Sequence, residues 1–271
     1  MSLPSTSDLI KKYDLAAKKS LGQNFILDKN FTDKIARAAG DLSNANVLEI
    51  GPGPGSLTRS ILDCGAKSLT VVEKDQRCLA ALAELKEFYG QQLAIIEADA
   101  LTIDEATISN EKLKIIANLP YNIGTVLIFK WLKILPKIES MHLMLQKEVV
   151  DRITAKPGNK HFGRLAVMVN FLCETKKVFE VSRHVFTPPP KVTSAIVEII
   201  PRAKPLADVE FYKLERVVAA AFNQRRKMIK SALKSVFVNP QEILESCGIA
   251  PELRAENLSI EQFCEIARRL P

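Results

Sequence analysis

A glycine-rich segment at residues 49–55, with the sequence E-I-G-P-G-P-G, has the composition of a loop that binds a cofactor. Glycines at alternate positions let the backbone turn sharply and approach a ligand without interference from side chains. The spacing of Gly51 and Gly53 differs from the G-x-G-x-x-G of dinucleotide loops, and Glu49 would repel a pyrophosphate. The cationic, amino-acid-like end of S-adenosylmethionine (AdoMet) would not be repelled. The segment therefore favours AdoMet over NAD or FAD, the alternative being a turn without a ligand.

Two further acids, Glu73 and Asp99, each stand at the end of an apolar run, in the sequences V-V-E-K and E-A-D-A. A carboxylate at the first position can accept both hydroxyls of a ribose, and one at the second can accept from the amine of an adenine. Either acid alone is equally compatible with a helix cap. Together with Glu49 they predict a nucleoside cofactor, and we include the flanking Lys74 and Ala100 in the predicted site.

The sequence N-L-P-Y at residues 118–121 indicates chemistry on an aromatic amine. Such an amine is a poor nucleophile, because its lone pair is delocalised into the ring. Acceptors on its two N–H bonds draw the nitrogen towards a tetrahedral shape, and the Asn118 side chain and the Leu119 carbonyl are suited to this. Pro120 holds the preceding residue extended, and Tyr121 offers a π-face to an unstacked base. A purely structural turn is the alternative.

Alternating apolar runs and amphipathic segments predict the elements that position these residues. Four runs that are apolar on both faces predict buried parallel strands at 47–50, 69–72, 93–96 and 113–117. Helical patterns cover residues 56–64, 75–89, 125–135, 147–154 and 165–173. Further strands are predicted at 140–145, 177–181 and 194–200. The pattern is that of an α/β fold, a parallel sheet covered by helices on both sides.

The composition changes after residue 200. Pro201 and Pro205 flank a polar linker, and helical patterns follow at 211–221, 226–236, 241–246 and 260–270. We therefore predict a catalytic domain at residues 1–203 and a small helical domain at residues 204–271, which would bind the substrate.

Composition restricts the class of protein. The chain has 271 residues, of which 47% are hydrophobic and 25% charged, and a net charge of +7. These values indicate a globular chain and are compatible with a polyanionic partner. Five scattered cysteines without a C-x-x-C pair argue against a zinc or disulfide framework, and no metal is expected. No apolar stretch reaches the ~18 residues of a membrane span. We expect a soluble, cytoplasmic protein without a membrane partner.

Several motifs, in order along nearly the whole chain, resemble those of the ribosomal RNA adenine N6-dimethyltransferases. The small-subunit (16S) type is the most similar. The matching stretches are K-K-S-L-G-Q-N-F at 18–25, Q-K-E-V-V at 146–150, F-G-R-L at 162–165, F-T-P-P-P-K-V at 186–192, F-N-Q-R-R-K at 222–227 and R-A-E-N-L-S at 254–259. The resemblance implies a seven-stranded, Rossmann-like sheet of the AdoMet-dependent methyltransferase class, followed by a helical C-terminal domain.

The resemblance also implies roles for particular residues. AdoMet contacts are expected from Gln23, Asn24, Ile26, Glu49, Gly51, Gly53, Glu73, Lys74, Asp99, Ala100 and Asn118. Ile26 replaces the leucine of many relatives, a volume-conserving change. Phe186 is expected to stack on the target adenine from the side opposite Tyr121. For an RNA substrate, phosphate contacts are expected from Arg225, Arg226, Lys227 and Lys230.

The implied reaction is dimethylation at N6 of two adjacent adenines in the 3′-terminal hairpin of small-subunit rRNA, within an immature 30S subunit, by a monomeric enzyme. One alternative is the large-subunit, antibiotic-resistance type, which the stretches at 146–150 and 254–259 disfavour. A second is a non-catalytic RNA- or DNA-binding factor on the same fold, which the intact N-L-P-Y sequence disfavours. A third, an NAD-dependent oxidoreductase, is disfavoured by the glycine spacing.

Overall fold

The architecture is that of a computed structural model, which describes residues 3–15, 17 and 23–271. Its strands are β1 Phe25–Ile26, β2 Asn46–Ile50, β3 Ser68–Glu73, β4 Leu93–Glu97, β5 Leu113–Asn118, β6 Ile138–Gln146, β7 Cys173–Val181, β8 Phe186–Thr187 and β9 Ser194–Pro201. Its helices are α1 Thr6–Lys12, α2 Lys29–Ala38, α3 Ser56–Asp63, α4 Gln76–Tyr89, α5 Gly124–Trp131, α6 Lys147–Ile153, α7 Arg164–Leu172, α8 Phe211–Asn223, α9 Ile229–Ala232, α10 Pro240–Ser246 and α11 Ile260–Arg268.

Seven strands form one sheet in the order β4-β3-β2-β5-β6-β9-β7. The pairs from β4 to β6 are parallel, and β9 runs antiparallel to β6. The chain order reverses between β2 and β5, so the carboxyl ends of these two strands flank the place where an open α/β sheet binds its ligand. The predicted seven-stranded α/β class is confirmed.

One predicted strand differs in its burial. The apolar run at 93–96 predicts burial on both faces, but β4 is an edge strand with Ala94 exposed and Ile95 and Ile96 half-buried. An edge strand has a neighbour on one side only, so one flank remains open to solvent. Its apolar composition therefore overstates its burial.

A second, two-stranded sheet joins parts of the chain that are far apart in sequence. In it, Phe25 of β1 lies opposite Thr187 of β8, and Ile26 lies opposite Phe186. Strands of two residues carry no periodicity, so the sequence pattern does not predict this pairing. It attaches the segment after residue 23 to the segment that begins the F-T-P-P-P-K-V sequence.

The chain divides into two compact units, the first comprising Met1–Val150 and Lys176–Ile200, the second Asp151–Thr175 and Pro201–Pro271. The longer segment of the second unit begins at Pro201, close to the predicted boundary at 204. The unit also includes residues 151–175, which the sequence pattern assigned to the first domain. The physical reason is the burial of α7, which packs against α8 and α11. Nearby, the Phe162 ring meets Phe222, which in turn meets Phe263.

The helix predicted at 226–236 is shorter in the structure. Only Ile229–Ala232 is α-helical, and a 3-10 turn follows at Leu233–Ser235. The backbone N–H groups before it are satisfied differently: Lys227 donates to the Gln224 carbonyl at 2.8 Å, and Ile229 to the Leu253 carbonyl at 2.6 Å. Residues 224–228 therefore form a turn rather than a helix. No helix in the described part of the chain has the length and apolar character needed to cross a membrane.

Candidate cofactor and adenine site

One cavity in the first unit contains nearly the whole predicted site. It is lined by all the expected cofactor residues and by the N-L-P-Y sequence, namely Gln23, Asn24, Ile26, Glu49, Gly51, Gly53, Glu73, Lys74, Asp99, Ala100, Asn118, Leu119, Pro120 and Tyr121. The site lies where strands β2, β3, β4 and β5 end, as the placement of three acids at strand ends predicted. Residues 18–22 of the N-terminal motif lie outside the described residues.

The glycine loop serves both the cavity and the packing behind it. Gly51, Gly53 and Gly55 have φ values of 67°, 55° and 85°, a region that other residues rarely adopt. A Cβ on Gly55 would lie 2.2 Å from Leu85 Cδ1 in α4, whereas one on Gly51 would meet only Pro120, at 3.7 Å. Gly55 is thus required by helix packing, while Gly51 and Gly53 shape the wall of the cavity.

Glu73 organises the loop from the end of β3 and is only 6% exposed. Its Oε2 accepts from the Gly53 N–H at 3.0 Å, and its Oε1 accepts from the N–H groups of Lys74 and Asp75 at 2.9 and 2.8 Å. Burial raises the pKa of Glu73, and these three donors oppose the rise. Because each carboxylate oxygen has two lone pairs, Oε2 retains one for a ligand hydroxyl. This is less than the two ribose bonds expected from sequence.

Glu49 is a buried carboxyl group without an ion pair in the described part of the chain. It is 1% exposed and accepts from the Thr58 hydroxyl at 2.7 Å. Burial raises the pKa of Glu49 to about 8, and the nearby Glu73 acts in the same direction. A ligand cation would replace the missing counter-charge, so this end of the cavity is suited to an ammonium or sulfonium group.

The loop that carries Asp99 is held by α5. The Leu101 N–H bonds to Asp99 at 2.9 Å and lowers the pKa of that carboxyl. Lys130 donates to the Ala100 carbonyl at 2.9 Å and pairs with the buried Glu105 at the same distance. Trp131 Nε1 also donates to Glu105, at 2.8 Å. The helix that follows the N-L-P-Y sequence therefore positions the Asp99 end of the candidate cofactor site.

The N-L-P-Y sequence begins at the last residue of β5 and continues into the turn before α5. Asn118 Nδ2 donates to the Asn24 carbonyl at 3.5 Å, which leaves its Oδ1 as the atom that can accept from an amine. Leu119 donates its N–H to the Met144 carbonyl at 3.2 Å. Tyr121 is half-buried, and its hydroxyl lies 2.8 Å from the Ser194 hydroxyl of β9.

Phe186 is placed differently from the expectation. Its side chain is 2% exposed and belongs to the same apolar cluster as Ile26, and it does not line the cavity. The pairing of β8 with β1 puts this residue opposite Ile26, within the core. The structure thus brings Tyr121 to the cavity and leaves Phe186 outside its lining.

The four predicted RNA-binding cations also separate into two kinds. Arg225 pairs with Glu256 at 2.8 Å and bonds to the Lys160 carbonyl, and Lys230 pairs with Glu252 at 2.8 Å. Arg226 and Lys227 are exposed in the turn at 224–228 and form no ion pair with the described residues. Each kind contains one arginine and one lysine, so residue type alone does not show which cations are paired and which are not.

Two polar groups at the site were missed by the sequence reasoning. Ser56 lines the cavity, and its hydroxyl is buried without a hydrogen-bond partner among the described residues. Thr58 holds Glu49 as described above. Their positions in the first turn of α3, directly after the last loop glycine, are the signal that would have identified them. The unpartnered hydroxyl, the glycine wall and the uncompensated carboxyl fit an amino-acid-bearing cationic nucleoside such as AdoMet.

Comparison with known proteins identifies the family. A family model described as "Ribosomal RNA adenine dimethylase" matches residues 15–271. The chain belongs to this family. Within the dimethylase family, a protein of Paramagnetospirillum magneticum named "Ribosomal RNA small subunit methyltransferase A" is 50% identical over 268 residues, which cover 99% of this chain and 95% of the relative. A protein of the same name from Rhodospirillum rubrum is 46% identical over 98% of this chain and 92% of its own length.

Solved structures of dimethylase relatives share the fold. A dimethyladenosine transferase from Plasmodium falciparum has a TM-score of 0.77 at 28% identity, covering 89% of this chain and 95% of its own. The 23S rRNA methyltransferase ErmE has a TM-score of 0.71 at 29% identity, and the match covers 91% of this chain and 99% of the ErmE chain. The predicted family and the predicted enzyme class, an AdoMet-dependent rRNA methyltransferase, are confirmed.

Proposed function

We propose that this enzyme transfers methyl groups from AdoMet to N6 of two adjacent adenines in the 3′-terminal hairpin of small-subunit rRNA, dimethylating each within an immature subunit. The observation that carries the proposal is the position of Asn118 at the cavity, with Oδ1 as the acceptor atom and Tyr121 beside it. The names of the full-length relatives, at 46% and 50% identity, support the small subunit as the source of the RNA.

The cofactor site has three parts with different tasks. Glu49 would face the cationic amino-acid end, the free lone pair of Glu73 would accept from one ribose hydroxyl, and Asp99 would accept from the adenine amine. Asn24, Ile26 and Ala100 complete the wall. When bound, AdoMet supplies an electrophilic methyl group on a sulfonium centre.

The adenine site activates the amine by hydrogen bonding. Asn118 Oδ1 and the Leu119 carbonyl would accept from the two N6 hydrogens, so the nitrogen lone pair turns away from the ring and towards the methyl carbon. Tyr121 would stack on the base once it has left its helix. The nitrogen would become cationic as it bonds to the methyl group and the bond from that group to sulfur breaks, which leaves a neutral thioether, and it would then lose a proton to water. The chemistry therefore requires neither a strong base nor a metal.

The second unit would contact RNA phosphates through Arg226 and Lys227, the two predicted cations without an ion pair to the described residues. Phosphate contacts orient the RNA without reading its sequence. We propose further that the enzyme acts as a monomer in the cytoplasm, where ribosomal subunits are assembled.

Labelled AdoMet and immature small subunits test the proposal. After incubation, the labelled nucleotides are mapped by primer extension and by digestion to nucleosides. We expect N6,N6-dimethyladenosine at two adjacent positions near the 3′ end of the small-subunit rRNA. Label in large-subunit RNA, offered as a competitor in the same reaction, would overturn the choice of substrate.

A further inference from the structure

We propose that Ser194 is a positioning residue for the target adenine, because its hydroxyl fixes the direction of the Tyr121 ring. The inference rests on the proposed function. The two hydroxyls are 2.8 Å apart, within the range of a good O–H···O bond. This contact joins the N-L-P-Y turn to β9, a strand that lies 73 residues later in the chain.

Ser194 is a rigid attachment point. It is 0% exposed and lies opposite Gln146 in the antiparallel pairing of β6 with β9. The neighbouring Lys147 N–H donates to the Thr193 carbonyl at 2.9 Å, which extends the same ladder. The hydroxyl of Ser194 is therefore held by the sheet and not by a loop.

Tyr121 needs such an attachment because its backbone lies in a turn. The phenol oxygen is on the long axis of the ring, so a bond to it fixes the far end of an axis whose near end is Cβ. With both ends held, the ring cannot leave for another χ1 rotamer. A base that stacks on Tyr121 then meets an ordered surface and does not have to order the ring itself.

Each of the two hydroxyls supplies the hydrogen-bond partner that the other needs. A buried hydroxyl without a partner is unfavourable, whereas replacement of both partners by apolar groups is nearly neutral. Core packing at this point would therefore be served equally well by a phenylalanine and an alanine. The hydrogen bond between Tyr121 and Ser194 additionally fixes the orientation of the Tyr121 ring, which matters because the ring must present one face to the base.

The expected effect is a loss of base positioning without a loss of cofactor binding. Ser194→Ala should lower kcat/KM for immature small subunits by about two- to tenfold, the range of one net hydrogen bond. Tyr121→Phe should cause the same loss, and the double variant should be no worse than either single variant. The Kd of AdoMet should be unchanged in all three.

Ser140→Ala is the matched control. Ser140 is a buried serine of β6 in the same unit, and its hydroxyl has no hydrogen-bond partner among the described residues. Its removal should leave kcat/KM unchanged. Equal losses in Ser140→Ala and Ser194→Ala would show that the effect is one of general stability and would overturn the proposal.

A fluorescent base separates this inference from the choice of substrate. A short single-stranded RNA with one 2-aminopurine, added with AdoMet, should be quenched by the wild-type protein through stacking on Tyr121. Quenching should weaken in Ser194→Ala and in Tyr121→Phe. Unchanged quenching in both variants overturns the role of Ser194, whereas failure of the wild type to methylate small-subunit RNA overturns only the proposed function.

Discussion

The cofactor cavity and the turn at residues 224–228 both contain predicted functional residues, but their charged groups differ in their partners. In the cavity, Glu49 has no ion pair in the described part of the chain and Glu73 retains a free lone pair, although Asp99 is paired with Lys74 at 3.4 Å. Near the turn, Arg225 and Lys230 are already paired with Glu256 and Glu252, whereas Arg226 and Lys227 form no ion pair with the described residues. The comparison indicates that polar groups without a partner inside the protein, rather than charged residue types as such, mark the surfaces that are suited to a ligand.

The largest effect is expected at the centre of the cavity. Asn118→Ala removes the acceptor that, in the proposed mechanism, frees the amine lone pair, and this help would be greatest as the nitrogen becomes tetrahedral. By analogy with oxyanion-hole donors, the loss is about 2.7–4 kcal/mol, which is a factor of roughly 100 or more in the methyl-transfer rate. Single-turnover methylation of immature subunits measures it.

Asn118→Asp is the finer test of the same residue, since it keeps an acceptor and adds a charge. It should retain more activity than Asn118→Ala, while RNA binding changes little in either variant. Near-complete activity in both would contradict the proposed activation of the amine, although not the family membership.

The next effect concerns Glu73. Glu73→Ala removes the charged acceptor proposed for the ribose and takes away the acceptor of three backbone N–H groups, so the Kd of AdoMet should rise at least about tenfold. Calorimetry on the folded variant gives this value. Glu97→Ala is the matched control, because Glu97 lies directly opposite Glu73 in the sheet and does not line the cavity. An equal Kd of AdoMet in Glu73→Ala and Glu97→Ala would show that Glu73 does not contact the cofactor.

Glu49 predicts a pH dependence in the ligand-free protein. Burial raises the pKa of Glu49 to about 8, so between its ordinary value and pH 8 the folded state holds a proton that the unfolded state releases. The free energy of unfolding therefore falls as pH rises through this window. Glu49→Gln cannot titrate, so its stability relative to wild type should increase from about pH 5 to about pH 8 and then level off.

Urea denaturation of Glu49→Gln and of the wild type at about pH 5, 6.5 and 8 tests this expectation. Because the proposed cofactor site places this carboxylate opposite a cation, Glu49→Gln should also bind AdoMet more weakly near pH 8. If the difference in free energy of unfolding between Glu49→Gln and wild type stays the same at every pH, Glu49 is ionised in the ligand-free protein over this range.

The smallest effects separate the cations of the second unit. Arg226→Ala with Lys227→Ala should reduce the slope of log K against log salt for RNA by about 0.7–0.9 for each phosphate that is no longer neutralised, with stability unchanged. Arg225→Ala should instead destabilise the second unit by about 1 kcal/mol, because it removes a half-exposed ion pair and a bond to a carbonyl. Salt titrations and urea denaturation of the same proteins distinguish the two. The reverse result would restore Arg225 as a phosphate ligand.

Residue types at strand ends were sufficient to predict which residues line the candidate cofactor cavity. Glu49, Glu73, Asp99 and Asn118 each stand at or near the end of an apolar run, and parallel strands bring their carboxyl ends to one edge whatever the loops do. The chemistry of these positions is local, since each group acts at the place where its own strand ends. The sheet and most of its helices were also predictable, because the periodicity of apolar residues is likewise a property of each local segment.

Tertiary structure alone decided the contacts between distant segments. The pairing of Phe186 with Ile26, the bond of Tyr121 to Ser194 and the ion pair of Arg225 with Glu256 each join residues at least 31 positions apart. Such contacts depend on which surfaces meet after the sheet has formed, and no periodicity in the chain encodes them. Whether a ring faces a ligand or the core, and whether a cation is free or paired, follows from those contacts and not from the residue type.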